Sequence, residues 1–485
     1  MKYRLLTLLA VALAIPAAWA QTSLPAEIKD GNILHCFDWK LTDIRKELPN
    51  IAEAGFVAVQ TSPMQRNVSS GWNWSEAYRP ADFAFSPSGL GTKNDLINLC
   101  TEAEKYGIQV IVDVVFNHVD SGSYHVAWWD NSGRLRSTTN FCNYNDRYSV
   151  THDRMVNCPE VNTEHAEVIS RAKSYIEELK ECGVKGIRFD GAKHIGLPSE
   201  GSDFWKVVTS VPDMFYYGEL LDNPGGSNYN GLMVEYTDYM YVTDNGYSDK
   251  ARRGAGVPTS EYGWATSVLD PEKCVYWGES HDTYSNASGA SKNTSQGVID
   301  RAYAIVACRQ KGVALYFSRP SKTAYGDIKI GQKGSTHFID AEVAEVNKFK
   351  NEMVGKEAAF TQNGNEAVVT RKDGGAVVVK KTGAGSINID NAKSYCPEGV
   401  YYDRISGNPF TVTSSKITGT TGSTGIAVLY GDYDPSGVEG IFDDYEESGE
   451  PVWYSIQGVQ VDSPTQPGIY IYRYADGKSG KVVIR

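Results

Sequence analysis

Residues 164–194 read EHAEVISRAKSYIEELKECGVKGIRFDGAKH, and two periodicities meet in them. Val168, Ala172, Tyr175, Ile176 and Leu179 recur at 3.6-residue spacing, which predicts an amphipathic helix over 164–182 with Asn162 or Thr163 as its N-cap. Past Gly183 the pattern becomes a short β-rich run, 186–189, that ends in Asp190. Similar runs stand at 32–35, 56–60, 109–115, 215–218, 274–277 and 313–317, and 94–106 repeats the helical spacing with Leu96, Leu99, Cys100 and Ala103. Strand–helix alternation on this scale predicts a parallel sheet covered by helices, either a closed (β/α)8 TIM barrel or an open doubly wound sheet. No Gly-x-Gly-x-x-Gly follows the first strand, which weakens the dinucleotide-binding form of the second.

Composition bounds the partners. Hydrophobic residues make up 41% and charged residues 22% of 485, an ordinary globular balance. The net charge is −12 with no long Lys/Arg block, so no nucleic-acid partner is expected. Lys2 and Arg4, an apolar stretch over 5–15 and Ala18-Trp19-Ala20 read as a signal peptide over 1–20, placing the protein outside the cell or on its surface. No later stretch has the length of a transmembrane helix, so no membrane span is expected. Export permits disulfides. Cys142 and Cys158 bracket a short polar loop and are the expected pair, whereas Cys182, Cys274 and Cys308 sit in apolar stretches that suit buried free thiols.

The texture changes near residue 340. After a helix-like segment at 341–353, runs such as 367–371, 376–380 and 425–429 alternate with Gly, Asn and Asp, which predicts a small antiparallel β domain over 341–430. An acidic, turn-rich stretch, 431–451, reads as a solvated linker, and 452–485 reads as a separate short β-rich module.

Polar groups gather where the strands end. Asp113, Asn117 and His118 close one strand, and Arg188, Asp190, Lys193 and His194 close another. Glu219 follows a third, and Glu279, Ser280, His281 and Asp282 follow a fourth. In α/β barrels such strand ends converge on the active site. Alternation puts Arg188 and Asp190 on one face, so a cation beside the carboxylate is expected to keep it ionised. Singly, each acid could be a helix cap or a rim charge; four charged strand ends in one sheet are harder to explain that way.

The ordered set DVVFNH, GIRFDGAKH, GEL and ESHD resembles the signature regions of the α-amylase family, glycoside hydrolase family thirteen. The segment Gly71-Trp72-Asn73-Trp74 to Tyr78-Arg79-Pro80 resembles its aromatic subsite, and Tyr401-Tyr402-Asp403-Arg404-Ile405-Ser406-Gly407 its C-terminal β domain. The resemblance implies a catalytic barrel over 21–340, a domain B inserted at about 117–161 and a β-sandwich domain C. It implies a secreted retaining endo-α-amylase acting on α-1,4-glucosidic bonds of starch or malto-oligosaccharides. The alternatives are an oligosaccharide-specific hydrolase or transglycosylase of the same family, and a non-catalytic glucan-binding surface protein.

Carried over position by position, the resemblance makes Asp190 the nucleophile, Glu219 the general acid/base and Asp282 the carboxylate that stabilises the transition state. His118 and His281 would donate to sugar hydroxyls, Tyr78 would stack under the sugar, Trp74 and Lys193 would contact neighbouring sugars, and Asp113 would support the site. Calcium is the implied metal, held by Asn117, a domain B carboxylate and the His194 carbonyl. Glu160 stands where the family usually has Asp. Chloride is a further implied ligand, near Arg188 and Arg319, with Ser280 in place of an Asn and weak or absent activation expected. Finally, 454–461, 468–472 and 481–485 resemble type IX secretion sorting domains, which implies delivery by an outer-membrane secretion machinery.

Overall fold

The structure, a computed structural model, describes residues 24–131, 133–221, 229–263, 268–432, 452–455, 459–462, 468–474 and 479–484. The signal-peptide segment and nearly all of the acidic linker lie outside the described residues. Eight parallel strands close in chain order into a barrel: β1 (Asn32–His35), β2 (Ala58–Thr61), β3 (Gln109–Val115), β4 (Gly186–Asp190), β5 (Phe215–Gly218), β6 (Tyr241–Thr243), β7 (Cys274–Trp277) and β8 (Val313–Phe317). β1 pairs with both β2 and β8, which excludes the open sheet.

Strand alternation sorts the residues into two cores. Ile33, Ile111, Tyr217, Val275, Val313, Leu315 and Phe317 fill the barrel interior. Leu34, Val110, Val112, Ile187, Phe189, Tyr276 and Tyr316 face outward and pack under the helices. Each fully buried large apolar side chain contributes about 1.5–3 kcal/mol, so both layers hold the barrel. The helix Ala166–Glu181 buries Val168, Ala172, Tyr175, Ile176 and Leu179, the stripe expected from spacing. Its N-cap is His165, whose ring accepts from the Glu167 amide, and not Asn162 or Thr163. The helix Lys93–Lys105 starts with a capping box of Thr92 and Asp95.

Between β3 and the helix Ala166–Glu181 the chain makes an excursion of short turns, a six-residue helix Arg147–His152 and isolated bridges His118↔Glu160 and Leu135↔Val161. Arg147 ties this excursion to the barrel, donating to Glu200 at 2.7 Å and to the Lys193 carbonyl at 2.6 Å. All eight cysteines are free, so the expected Cys142–Cys158 disulfide is not formed. The Cys158 thiol pairs with Arg79 and the Cys142 thiol with the Tyr144 hydroxyl, which turns the two sulfurs to different partners. Cys182, Cys274 and Cys308 are buried free thiols, as read from the sequence.

Beyond the helix Ala341–Glu352 lie two four-stranded antiparallel sheets. Val368, Ala376 and Val378 of the first meet Ile387, Ile389, Phe410, Val412 and Ile417 of the second, which makes a sandwich. The other face of the first sheet, with Ala367, Val369, Val377 and Val379, joins the barrel's outer core. A further four-stranded antiparallel sheet is formed by Val452–Ser455, Gln460–Val461, Gly468–Arg473 and Ser479–Ile484. Among the described residues, no helix is long and apolar enough to cross a membrane.

Candidate active site

Register brings the acids together. β3 and β4 pair Asp113 with Arg188 and Val115 with Asp190, so Arg188 stands beside Asp113 and one step below Asp190 on the inward face. Arg188 Nη1 donates to Asp113 Oδ1 at 2.9 Å and to Asp190 Oδ1 at 2.7 Å, while Nη2 lies 2.8 Å from Glu219 Oε1. One buried guanidinium therefore joins three carboxylates from three strand ends. The turn after Asp190 needs Gly191, whose φ is +51°, and its N–H donates to Glu219 Oε2 at 3.2 Å. A side chain at Gly218, just before Glu219, would come within 2.4 Å of the Met240 sulfur.

Asp282 completes the group from the first turn of the helix His281–Ser285. Asn286, one turn on, donates to its Oδ1 at 2.9 Å and fixes the carboxylate. Glu219 and Asp282 share a hydrogen bond, and burial, with the Asp282 charge nearby, raises the Glu219 pKa against the pull of Arg188. Burial raises Asp282 as well, so the two carboxyls are placed to share one proton. Burial is also the largest influence on Asp190, whose pKa is raised despite Arg188. The expectation that Arg188 alone holds Asp190 low is corrected: desolvation outweighs the ion pair, and Arg188 offsets it only in part. Asp113 is pushed up to about 8 by burial and accepts the Tyr78 hydroxyl at 3.0 Å, a supporting position below the chemistry.

The aromatic wall is layered. Tyr78 stacks on His281 with 5.3 Å between centroids and 12° between planes. Burial, with Arg188 beside it, holds His281 neutral by pulling its pKa to about 3. Trp74 is buried edge-on behind both rings and backs the platform. His118 places Nε2 2.9 Å from the Tyr78 carbonyl and so positions the platform's backbone. Lys193 donates to the Leu221 carbonyl and lies 4.8 Å above the Tyr144 ring. Sequence reading missed Asn286 and the Gly191 amide. Asn286 was legible as the residue four positions after Asp282, at the C-terminal end of its helix; the Gly191 amide leaves no side-chain signal.

The residues named for calcium converge. Asn117 Nδ2 is 2.6 Å from Glu160 Oε1 and 3.5 Å from the His194 carbonyl. Glu160 Oε2 is buried with no hydrogen-bond partner among the described residues, and burial raises this carboxyl well above its usual range. Asn117 Oδ1 faces His118 Nδ1 at 3.3 Å, although the ring's other nitrogen is already committed to the Tyr78 carbonyl. A neutral imidazole so committed wants a donor at Nδ1, which the amide supplies when its oxygen turns to Glu160 and His194. The residues therefore fit a hard cation with oxygen ligands. The chloride residues do not fit an anion. Arg319 is taken by Glu279, with contacts of 2.5 and 2.9 Å, and the Ser280 hydroxyl accepts the Thr283 amide as a helix cap.

Comparison with known proteins agrees with this geometry. Residues 24–219 match the family model described as alpha amylase, catalytic domain. The chain is 32% identical over 438 residues to an alpha-amylase of Clostridium acetobutylicum, covering 84% of this chain and 55% of that protein. It thus spans about half the length of that curated relative. The fold is similar to wild-type alpha-amylase I from Eisenia fetida, with TM-score 0.68 and 18% identity over 85% of this chain and 99% of the other. It is also similar to a gamma-CGTase from alkalophilic Bacillus clarkii, with TM-score 0.65 and 16% identity over 93% of this chain and 75% of the other. Over residues 24–219, from β1 to Glu219, this chain is thus similar to the catalytic domain of the α-amylase family.

Proposed function

We propose that the protein is a secreted retaining endo-α-amylase that hydrolyses α-1,4-glucosidic bonds of starch and malto-oligosaccharides. The observation that carries this reading is the Arg188-centred group, in which Asp190 and Glu219 meet adjacent nitrogens of one guanidinium while Glu219 shares a hydrogen bond with Asp282. A retaining glycosidase needs two carboxyl groups roughly 5–5.5 Å apart with different protonation, and a shared guanidinium favours that short spacing. Asp190 attacks the anomeric carbon as Glu219 delivers its proton to the leaving oxygen. Glu219, now ionised, takes a proton from the water that releases the glycosyl-enzyme. Asp282, fixed by Asn286, faces the positive charge that develops on the sugar ring. Tyr78 and His281 supply the flat wall beside it.

Asn117, Glu160 and the His194 carbonyl would hold calcium, which supplies structure and no chemistry: it would fasten the 117–161 excursion to the end of β4. The signal-peptide reading supports export, and the C-terminal sheet suits a sorting module. A glucan-binding protein without activity has no use for two carboxyl groups held on adjacent nitrogens of one buried guanidinium, so the intact group argues against that alternative.

The test is a time course on soluble starch, reading reducing ends, product lengths and the anomer first released. Mid-length α-anomeric products appearing early support the proposal. Cyclic or lengthened products would replace hydrolysis with transglycosylation. Binding without new reducing ends would overturn the enzymatic reading.

A further inference from the structure

Away from the carboxylates, on the outer wall of the barrel, His337 is encircled by acids. Its Nε2 lies 2.9 Å from Asp300 Oδ2 and 3.7 Å from Glu342 Oε1, and its Nδ1 lies 2.5 Å from Asp340 Oδ2. Asp300 is 2% exposed, on the helix Gln296–Ala307, and Glu342 opens the helix Ala341–Glu352. We propose that His337 Nε2, Asp300 Oδ2 and Glu342 Oε1 form a binding site for a divalent first-row cation of the zinc type, separate from the calcium residues.

Three observations separate this group from a patch of surface acids. The first is size. Zinc bonds of about 2.0–2.2 Å to nitrogen and oxygen set tetrahedral ligand edges of roughly 3.3–3.5 Å. The two edges from His337 Nε2, 2.9 and 3.7 Å, bracket that value, and one atom from each of the three residues lies within 4.8 Å of the others.

The second is the orientation of the ligands. His337 has its far nitrogen tied to the Asp340 carboxylate, the arrangement that fixes ring and tautomer in histidine–zinc sites. Asp300 has its other oxygen held by Gln296 Nε2 at 2.9 Å and by the Tyr316 hydroxyl at 3.2 Å, which leaves Oδ2 for the shared centre. The third is charge. One imidazole faces three carboxylates, so even a doubly protonated ring leaves the group negative, and a divalent cation would neutralise it.

A nitrogen ligand selects against calcium and magnesium, which take oxygen sets. Binding replaces the proton on Nε2 by the metal and releases it to solvent, while the Nδ1 proton stays on Asp340's side of the ring. Three protein ligands leave a fourth position for water. The consequence is local. Ser318 and Ser335 close the base of an arch over 318–335, through Ser318 Oγ to the Ser335 carbonyl at 2.7 Å. That arch carries Tyr325, whose hydroxyl meets Ser75 Oγ at 2.8 Å and whose ring meets Trp74 edge-on. A cation at His337 would fasten the arch's return, and with it one wall of the aromatic platform, to the helix Gln296–Ala307.

The full chain, stripped with chelator and returned to saturating calcium, is titrated with Zn²⁺ by calorimetry, and its melting temperature is read with and without Zn²⁺. One equivalent bound per chain and a rise in melting temperature are expected. His337→Gln and Glu342→Gln should each weaken that binding tenfold or more and abolish the rise. Glu342 is partly exposed, so its variant is the one that keeps the test open if His337→Gln does not fold. Co²⁺ in the same site should give the visible bands of a four-coordinate ion. Absence of stoichiometric Zn²⁺ binding, or wild-type affinity in the Glu342→Gln protein, would overturn the proposal.

Discussion

The two ends of the barrel each bury a cluster of charge, and they resolve it in opposite ways. At the end where β3, β4, β5 and β7 stop, one arginine faces four acids: Asp113, Asp190 and Glu219 directly, and Asp282 through Glu219. At the opposite end, where the chain enters β8, three buried cations, Arg309, Lys350 and Arg371, make no ion pair with any carboxylate among the described residues. Lys350 Nζ donates to the carbonyl of Arg309 at 2.6 Å and, more loosely, to those of Gln310 and Gly312. Arg371 donates to the carbonyls of Cys308, Met353 and Lys356, and Arg309 lies 4.1 and 4.3 Å above the rings of Tyr262 and Tyr276. Fixed dipoles and ring faces satisfy charge without offering a proton-transfer partner. That suits a joint between barrel and sandwich. Surplus acids around a single cation leave a proton to be shared, which suits acid–base work.

The largest effect should come from breaking the acidic end. Glu219→Gln keeps shape and removes the transferable proton; Asp190→Asn keeps shape and removes the nucleophile. Each should lower kcat on starch by at least about 10²-fold, the scale of general acid–base catalysis alone, with the fold retained by circular dichroism. Near wild-type turnover in either variant would remove that residue from the mechanism.

The basic end should answer to pH through stability and not through turnover. Burial, with Arg371 and Arg309 nearby, pulls Lys350 from its ordinary 10.5 down to about 7. Between those values the unfolded chain holds a proton that the folded chain does not, so this group raises stability as pH climbs from about 7 towards 10. Below pH 7 both states are protonated and the full cost of the buried charge is present. Lys350→Met removes that dependence. Relative to wild type, the variant should therefore lose ground between pH 7 and pH 10 at up to about 1.4 kcal/mol per unit, read from urea melts of both proteins. A difference between the two that stays flat across this window would mean that the carbonyl cage keeps Lys350 charged throughout.

How much of this contrast was legible follows from the kind of signal each end leaves. Seven of the barrel strands appear as apolar runs, and the acids that matter stand at their ends, because a closed parallel sheet is buried on both faces. β6 was missed: three residues, Tyr241–Thr243, are too few to carry a period. The outer sheet of the sandwich alternates buried and exposed positions, as in Gly385–Asp390, and polar strands of that kind read as loop. The basic end was illegible for a different reason. Backbone carbonyls satisfy Lys350 and Arg371, and carbonyls are the same at every position of a sequence. The Arg319–Glu279 pair joins positions 40 residues apart, and only the fold brings them into contact.

A smaller effect concerns the clamp beside the acidic end. Removing calcium should lower the melting temperature by several degrees, since a ligand at a hundredfold its dissociation constant contributes about 2.7 kcal/mol. In the Glu342→Gln protein, whose His337 group no longer answers to zinc, calcium and not zinc should restore it. In that background Glu160→Gln should make the remaining chelator response disappear, because the one carboxylate among Asn117, Glu160 and the His194 carbonyl is then gone. An unchanged melting temperature in excess chelator would separate the excursion's docking from any cation and leave Arg147 as its main tie.

The smallest expected effect is chloride, and it sharpens the comparison most finely, because it asks whether the acidic end has room for one more anion. Arg188 already faces three carboxylates, and Arg319 is engaged by both oxygens of Glu279 and by the Thr294 carbonyl. Glu279 is buried, so its carboxylate is a built-in counter-ion that a free anion would have to displace. Displacement would strand a buried charge, which costs several kcal/mol and exceeds what a weakly held chloride returns. Chloride titrated at constant ionic strength, with nitrate and sulfate as controls, should therefore change kcat by less than about twofold. Glu279→Gln keeps the shape and removes the charge, so any chloride response should first emerge in that variant. The sign of such a response is fixed: an anion near Glu219 raises its pKa further and moves the alkaline limb of activity upward, since Glu219 must be protonated to act. Strong saturable activation of the wild type would show that Arg319 exchanges Glu279 for an anion, and that this end of the barrel is less fully paired than its geometry indicates.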